Sequence, residues 1–282
     1  MKKRLLFVAA IVAASTTFAQ DGLTSKKGEA YLPEAGDWSI SVDAQPLLNY
    51  VGNMANAGTN GAGTLNAAWT NGSNAITGKY FKDENTAYRA MLRIGFSSST
   101  VGTVNNYFVN PSDVEDQEFT DEVKVSGNNV TLGFGLEKRR GNTRIQGVYG
   151  AMMNIGFGGG KTTNTYGLAY SDSAFAANPG LVNGRTLETK AGSTFQLGIA
   201  GFIGVEWFFA PKVSLGAEYT WGLAMSSTGE GEVTSESWGL NPGEVATNPN
   251  HIVTNTAKTG KSSSFGIDTG LSGANISLNF HF

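Results

Sequence analysis

The chain has 282 residues, with 20 basic against 23 acidic and no cysteine, which excludes disulfides, zinc-thiolate centres, a thiol nucleophile and a lipid anchor on an N-terminal Cys. The acidic balance argues against nucleic acid as a partner. Only 15% of the residues are charged, whereas 38 are glycine and 11% are aromatic. That mixture suits a β-barrel in a bilayer, where glycine permits tight turns and curved strands and rings collect at the two water interfaces.

Residues 1–19 have the three parts of a secretory signal: Lys2, Lys3 and Arg4, the apolar run Leu5 to Ala14, and the ending Thr17-Phe18-Ala19. Cleavage is expected before Gln20, leaving 17 basic residues and a net charge near −6. The apolar run is too short to span a hydrocarbon core of roughly 30 Å, and no later stretch is long enough, so no transmembrane helix is expected. Residues 20–36 read as a periplasmic segment leading into a barrel over 37–282.

From there the signal is a period of two. Trp38, Ile40, Val42 and Ala44 oppose Ser39, Ser41 and Asp43. A weaker strand spans Ala75 to Phe81, followed by Tyr88 to Phe96, Val130 to Leu136 and Ile145 to Phe157. In Phe195 to Phe209, Leu197, Ile199, Ile203, Val205 and Trp207 oppose Gln196, Gly198, Ala200 and Glu206, with Phe202 out of phase. Val213, Leu215, Ala217, Tyr219 and Trp221 oppose Ser214, Gly216, Glu218 and Thr220. The chain closes on Ile276, Leu278, Phe280 and Phe282, alternating with Ser277, Asn279 and His281. These are strands with one greasy and one polar face.

The connections alternate strictly. Short ones lie at Lys82 to Asn85, Arg139 to Asn142 and Ala210 to Lys212, and long ones at about 49–73, 97–127, 158–192 and 228–271. Short periplasmic turns and long external loops are the membrane-barrel pattern. Four loops and three turns require eight antiparallel strands with both termini on the turn side. Ser264 to Gly270 looks like a ninth strand, but an odd count would prevent antiparallel closure, so it is assigned to the last loop. A secreted β-sandwich is the soluble alternative, in which the apolar faces would pack inward.

The stretches Leu32-Pro33-Glu34-Ala35-Gly36-Asp37-Trp38, Ile76-Thr77-Gly78-Lys79-Tyr80-Phe81 and Asn85-Thr86-Ala87-Tyr88-Arg89, with the closing Ile276 to Phe282, resemble the small outer-membrane β-barrels of Bacteroidota. The resemblance implies the cell outer membrane as location and its lipid as surroundings. It also implies the barrel-assembly machinery as a partner during biogenesis, with Phe280 and Phe282 in the closing recognition signal. Asp172-Ser173-Ala174 is similar to the O-glycosylation acceptor of that phylum, with Ser173 as acceptor.

Eight charges fall on polar faces at mid-strand: cations Lys79, Arg89, Arg93 and Arg144, and anions Asp43, Glu137, Glu206 and Glu218. Their equal numbers point to an internal salt-bridge network filling a narrow lumen; a charged constriction selecting ions is the functional alternative. The cluster Asp113, Glu115, Asp116, Glu118, Asp121 and Glu122 lacks calcium-loop spacing and reads as a solvated loop. Gly156 to Lys161 fails as a phosphate loop, because Ile155 stands where its first Gly is required. His251 and His281 are the only histidines; His281 is expected to face inward at the periplasmic end, and a lone loop His251 reads as a surface residue. Trp38, Tyr80, Tyr88, Tyr149, Trp207, Phe209, Tyr219 and Trp221 read as an interfacial girdle. No cofactor or metal is expected. The functional expectation is a non-enzymatic structural or interaction barrel, such as an accessory subunit of an outer-membrane protein complex. The alternatives are a narrow porin-like diffusion channel, or a barrel enzyme acting on lipid or peptide with a role for His251.

Overall fold

A computed structural model describes residues 23–44, 75–239, 251–268 and 274–282. The signal segment, the first long connection and part of the fourth lie outside the described residues. The described chain forms an antiparallel sheet of twelve strands and one short helix. The strands are β1 (Trp38–Asp43), β2 (Ile76–Asp83), β3 (Thr86–Tyr107), β4 (Gln117–Arg140), β5 (Ile145–Thr165), β6 (Arg185–Lys190), β7 (Thr194–Ala210), β8 (Val213–Thr228), β9 (Glu232–Gly239), β10 (His251–Lys258), β11 (Ser262–Asp268) and β12 (Ala274–His281). The helix α1 is Asp172–Ala177. No described helix is long and apolar enough to cross a membrane.

Eight of the strands close on themselves. β1, β2, β3, β4, β5, β7 and β8 pair in succession, β8 pairs with β12, and β12 returns to β1 through Ser39↔His281 and Val42↔Leu278. All these pairings are antiparallel. The turns at Glu84–Asn85, residues 141–144 and Pro211–Lys212 gather at one end of the ring, the turn end, together with Trp38 and Phe282. Trp38 and Phe282 exchange both backbone hydrogen bonds, at 2.8 and 2.9 Å, so the final aromatic residue closes the seam.

The ring is inside out relative to a water-soluble protein. Its outward side chains include Trp38, Ile40, Tyr88, Ile94, Phe134, Ile199, Ile203, Trp221 and Phe280, all exposed. Its inward ones include Ser39, Lys79, Arg89, Glu137, Glu206, Ser214 and Asn279, all buried. A sandwich would reverse both sets, and no second sheet packs on the apolar face among the described residues.

Several sequence-based boundaries need correction. The second connection is not a loop over 97–127: β3 and β4 pair without a break from Thr86↔Lys138 to Tyr107↔Gln117. The third contains the end of β5, α1 and β6, and the fourth contains β9, β10 and β11. Beyond Phe96 the outward residues become Ser98, Thr100 and Gly102, so along β3 the contrast between faces is lost, while on β4 it reverses, with Val123 and Val125 on the inner face and Glu122, Lys124 and Ser126 on the outer. The β-branched residues that favour strands remain in Thr100, Val101, Thr103 and Val104. Of the segment Ser264 to Gly270, the described part, to Asp268, is likewise no plain loop. β11 pairs with the loop-end half of β8 (Gly222–Thr228), and β12 pairs with the turn-end half (Val213–Tyr219). β11 and β12 therefore occupy successive lengths of the same place beside β8, and parity is kept.

The glycine run sits at a fork. β5 pairs with β7 as far as Gly158↔Thr194, then with β6 from Lys161↔Lys190. β6 continues into β9, and β9 into β10. The external sheet thus leaves the ring where Gly158, Gly159 and Gly160 stand. α1 caps part of it: Ser171 accepts from the Ala174 N–H, as an N-cap does, and Leu168, Tyr170 and Ala174 are buried beneath. Arg185 lies 4.3 and 3.9 Å from the Tyr166 and Tyr170 ring centroids and pairs with Glu236 at 2.6 Å.

Candidate functional site

The most densely built chemical arrangement is the ring interior near the turn end. Glu137 of β4 is fully buried and has Lys79 of β2 at 3.0 Å, Arg89 of β3 at 3.4 Å and Arg139 of its own strand at 3.3 Å. Glu206 of β7 lies 2.9 Å from Arg139, 3.5 Å from Lys79 and 3.1 Å from His281 of β12. It also accepts from Asn279 at 3.0 Å and from the Ser214 hydroxyl. Arg89 reaches the other way to both oxygens of Glu218 on β8, at 2.8 and 3.1 Å. Gln146 of β5 accepts from Arg139 Nε at 2.9 Å. One connected network therefore draws on β2, β3, β4, β5, β7, β8 and β12. Its three fixed cations balance its three carboxylates, which is what allows charges out of contact with water to be tolerated.

Beside the ions lies an aromatic layer. Phe81 and Phe208 are fully buried, with ring centroids 5.6 and 5.1 Å from His281, and the Arg139 guanidinium lies 5.2 and 5.4 Å from the same two rings. Phe202, the residue out of phase with its strand, points inward against Gly150, its partner on β5. A Cβ on Gly150 would stand 2.7 Å from the Phe202 ring and 2.0 Å from the Leu136 carbonyl, so a hydrogen at that position is what leaves room for the ring. Arg89 stacks over the other face at 4.3 Å.

Of the eight expected interior charges, the structure brings Lys79, Arg89, Glu137, Glu206 and Glu218 together. Asp43 and Arg93 are half-buried on the inner faces of β1 and β3, nearer the loop end, and have interactions of their own. Arg144 is not at mid-strand. It precedes β5 in the turn, its guanidinium 3.7 Å from the Tyr31 ring centroid of the N-terminal segment. The run Arg139-Arg140-Gly141-Asn142 has a turn's composition, which hid Arg139; in fact β4 extends through Arg140 and its alternation aims Arg139 inward. Ser214, Gln146 and Asn279 are uncharged, and strand parity alone could have found them.

No family model matches the chain, and no curated protein is significantly similar to it. Among solved structures the chain is similar to the outer membrane protein OprG from Pseudomonas aeruginosa, at 11% identity over 89% of this chain and 98% of that one, with a TM-score of 0.29.

The other candidates occupy defined places. Asp113 accepts from the backbone N–H groups of Val109 and Asn110, and Asp121 from Asn105 and Gly167. These carboxylates hold turns, and among the described residues no group of three or more His, Asp or Glu is placed to hold a metal. Ser173 is exposed on α1. Its neighbours have structural work, since Asp172 accepts from the Trp238 indole at 2.7 Å and Ala174 is buried. His251 begins β10 opposite Gly239. At the turn end Asp37 accepts from the Glu34 N–H at 2.8 Å and from Lys212, which tie the N-terminal segment to the β7–β8 turn. Burial pushes the Asp37 carboxyl up, but these two hydrogen bonds and the Lys212 charge outweigh it and hold the carboxyl below the usual 3.8.

Proposed function

We propose that this chain is an outer-membrane β-barrel whose lumen is sealed near the periplasmic turns and whose external sheet is its working part. The role is structural or interactive and non-enzymatic, of the kind an accessory subunit of an envelope complex fills. The observation that carries the reading is the inverted ring, apolar outside and charged inside. From Leu215 to Met225 the apolar outward face of β8 runs about 33 Å along the strand at the usual rise, roughly 25 Å in height at the usual tilt, which matches the apolar band of an outer-membrane barrel.

The sealed lumen rests on burial. A continuous water path through the turn end would have to wet Phe81, Phe208, Glu137 or Glu206, and none of these is accessible to water. An eight-stranded ring has an interior just wide enough for its own side chains, and the ion network fills it. The external sheet is a large investment of chain: β3 continues eleven residues beyond Phe96, half of its length. It carries a folded cap, more than loop closure requires.

Two measurements test this. The mature chain refolded into phosphatidylcholine vesicles should become resistant to protease over β7, β8 and the turn-end lengths of β3, β4 and β5, and the same preparation in planar bilayers should give no discrete conductance steps. Steps that change on Glu206→Gln would establish a channel instead. Failure to insert would remove the membrane reading altogether.

A further inference from the structure

The outward apolar faces stop at Phe96 on β3, Val130 on β4 and Phe157 on β5, and polar side chains begin on the next rungs. There, at the fork, a cleft of about 420 Å³ opens, lined by Phe96, Ser126, Asn128, Gly159, Lys161 and Lys190. Resting on the membrane reading above, we infer that this cleft binds the phosphate of an outer-leaflet lipid headgroup.

Three observations converge. The first is level: on that reading the rungs just beyond Phe96 and Phe157 lie where lipid phosphates lie. Phe96, 76% exposed, forms one wall, so a ligand there meets an apolar surface and a cationic one together, as a phosphorylated lipid requires.

The second is charge placement. Lys161 and Lys190 are directly opposed partners on β5 and β6, and like charges directly across a strand pair repel unless an anion joins them. Glu188 takes Lys161 at 2.7 Å. Lys190, although in register with Glu232 on β9, has no carboxylate within 4 Å among the described residues, and neither has Lys124, which lies on β4 one rung beyond Ser126 with Glu122 beyond it. Among the described residues Lys190 thus lacks an ion pair across from Lys161, and Lys124, outside the cleft's own lining, lacks one as well.

The third is access. The fork places glycine where β5 exchanges one neighbour for another, so no side chain from those positions fills the cleft. The Ser193 hydroxyl and the Asn128 amide line it with donors, while the Ser126 hydroxyl donates to the Lys161 carbonyl at 3.3 Å. Ammonium groups, hydroxyls and exposed backbone are the donor set that phosphate oxygens take.

The test uses the full mature chain in micelles doped with short-chain phosphatidic acid, with the matching diacylglycerol, or with inorganic phosphate, and reads bound lipid by native mass spectrometry. The wild type should retain phosphatidic acid and not diacylglycerol. Lys161→Gln with Lys190→Gln should weaken that retention about 30-fold, whereas Lys26→Gln with Lys27→Gln, the same charge change at exposed positions of the N-terminal segment, should leave it unaltered. Equal losses in the two double variants would reduce the effect to general electrostatics and overturn the site. Equal retention of diacylglycerol would remove phosphate recognition, and competition by inorganic phosphate at the lipid's own concentration would point to a free anion instead. Insertion into neutral phosphatidylcholine vesicles, measured separately by protease protection, reports on the membrane reading alone. A protein that inserts but shows no phosphate preference loses the cleft and keeps the barrel.

Discussion

Replacing Glu137 with Gln should destabilise the protein more than any substitution of a surface charge. The carboxylate has three cations within 3.0–3.4 Å and no contact with water. Glutamine keeps the volume and one acceptor but leaves Lys79, Arg89 and Arg139 sharing two carboxylates across the ring. Breaking a buried pair by removing one partner costs about 3–5 kcal/mol. With a urea slope of roughly 2 kcal/mol per molar, the unfolding midpoint in vesicles should fall by about 2 M. Glu230→Gln supplies the comparison, since its pairs with Lys258 and Lys261 are exposed and worth at most about 1 kcal/mol. The double variant Lys79→Met with Glu137→Leu should recover much of the loss, because Arg89 retains Glu218 and Arg139 retains Glu206. If Glu137→Gln shifts the midpoint no further than Glu230→Gln does, water reaches the network, and the sealed lumen is refuted.

Ile203→Arg places a charge on the outward face at a position 66% exposed; it should cost about 2–4 kcal/mol in vesicles if that face meets lipid, and a change under roughly 0.5 kcal/mol would be the behaviour of a surface in water. Gly150→Ala should lower the thermal midpoint, since its Cβ meets backbone at 2.0 Å and overpacking costs about 1–3 kcal/mol; an unchanged midpoint would mean the inner face has slack. Because the Asp37 carboxyl is held low when folded, its stabilising contribution is present above the usual 3.8 and is lost as the pH falls through the lower folded value. Amide exchange at Trp38 should therefore accelerate in acid, and Asp37→Asn should remove that pH dependence; identical profiles would detach the Lys212 clasp from the stability of the seam.

What could be read in advance was whatever alternates. Ile276 to Phe282 and Val213 to Trp221 declare their two faces residue by residue, because on the proposed membrane reading lipid lies on one side and a crowded polar interior on the other. Lys79, Glu137 and Glu206 follow from the same parity. The hairpin beyond Phe96 was illegible for the complementary reason. With water on its outer face nothing forces Ser98 and Thr100 to differ from Ser97 and Ser99, and a strand without contrast reads as a loop. Arg139 was concealed by its neighbours Gly141 and Asn142, whose turn chemistry was extended two residues too far upstream. The cleft at the fork could not have been anticipated, since it depends on β5 changing partners, and pairing between distant segments leaves no local trace.

That change of partner also separates two geometric obligations. In the closed ring, strand number, stagger and tilt are mutually locked, because a closed sheet admits only discrete solutions. Past the glycine fork the wall is, among the described residues, an open sheet with β10 at its far margin, and no closure condition binds those strands. Residues can be added to or removed from the upper hairpins without altering the stagger below, so that end is free to diversify while the ring stays the same size.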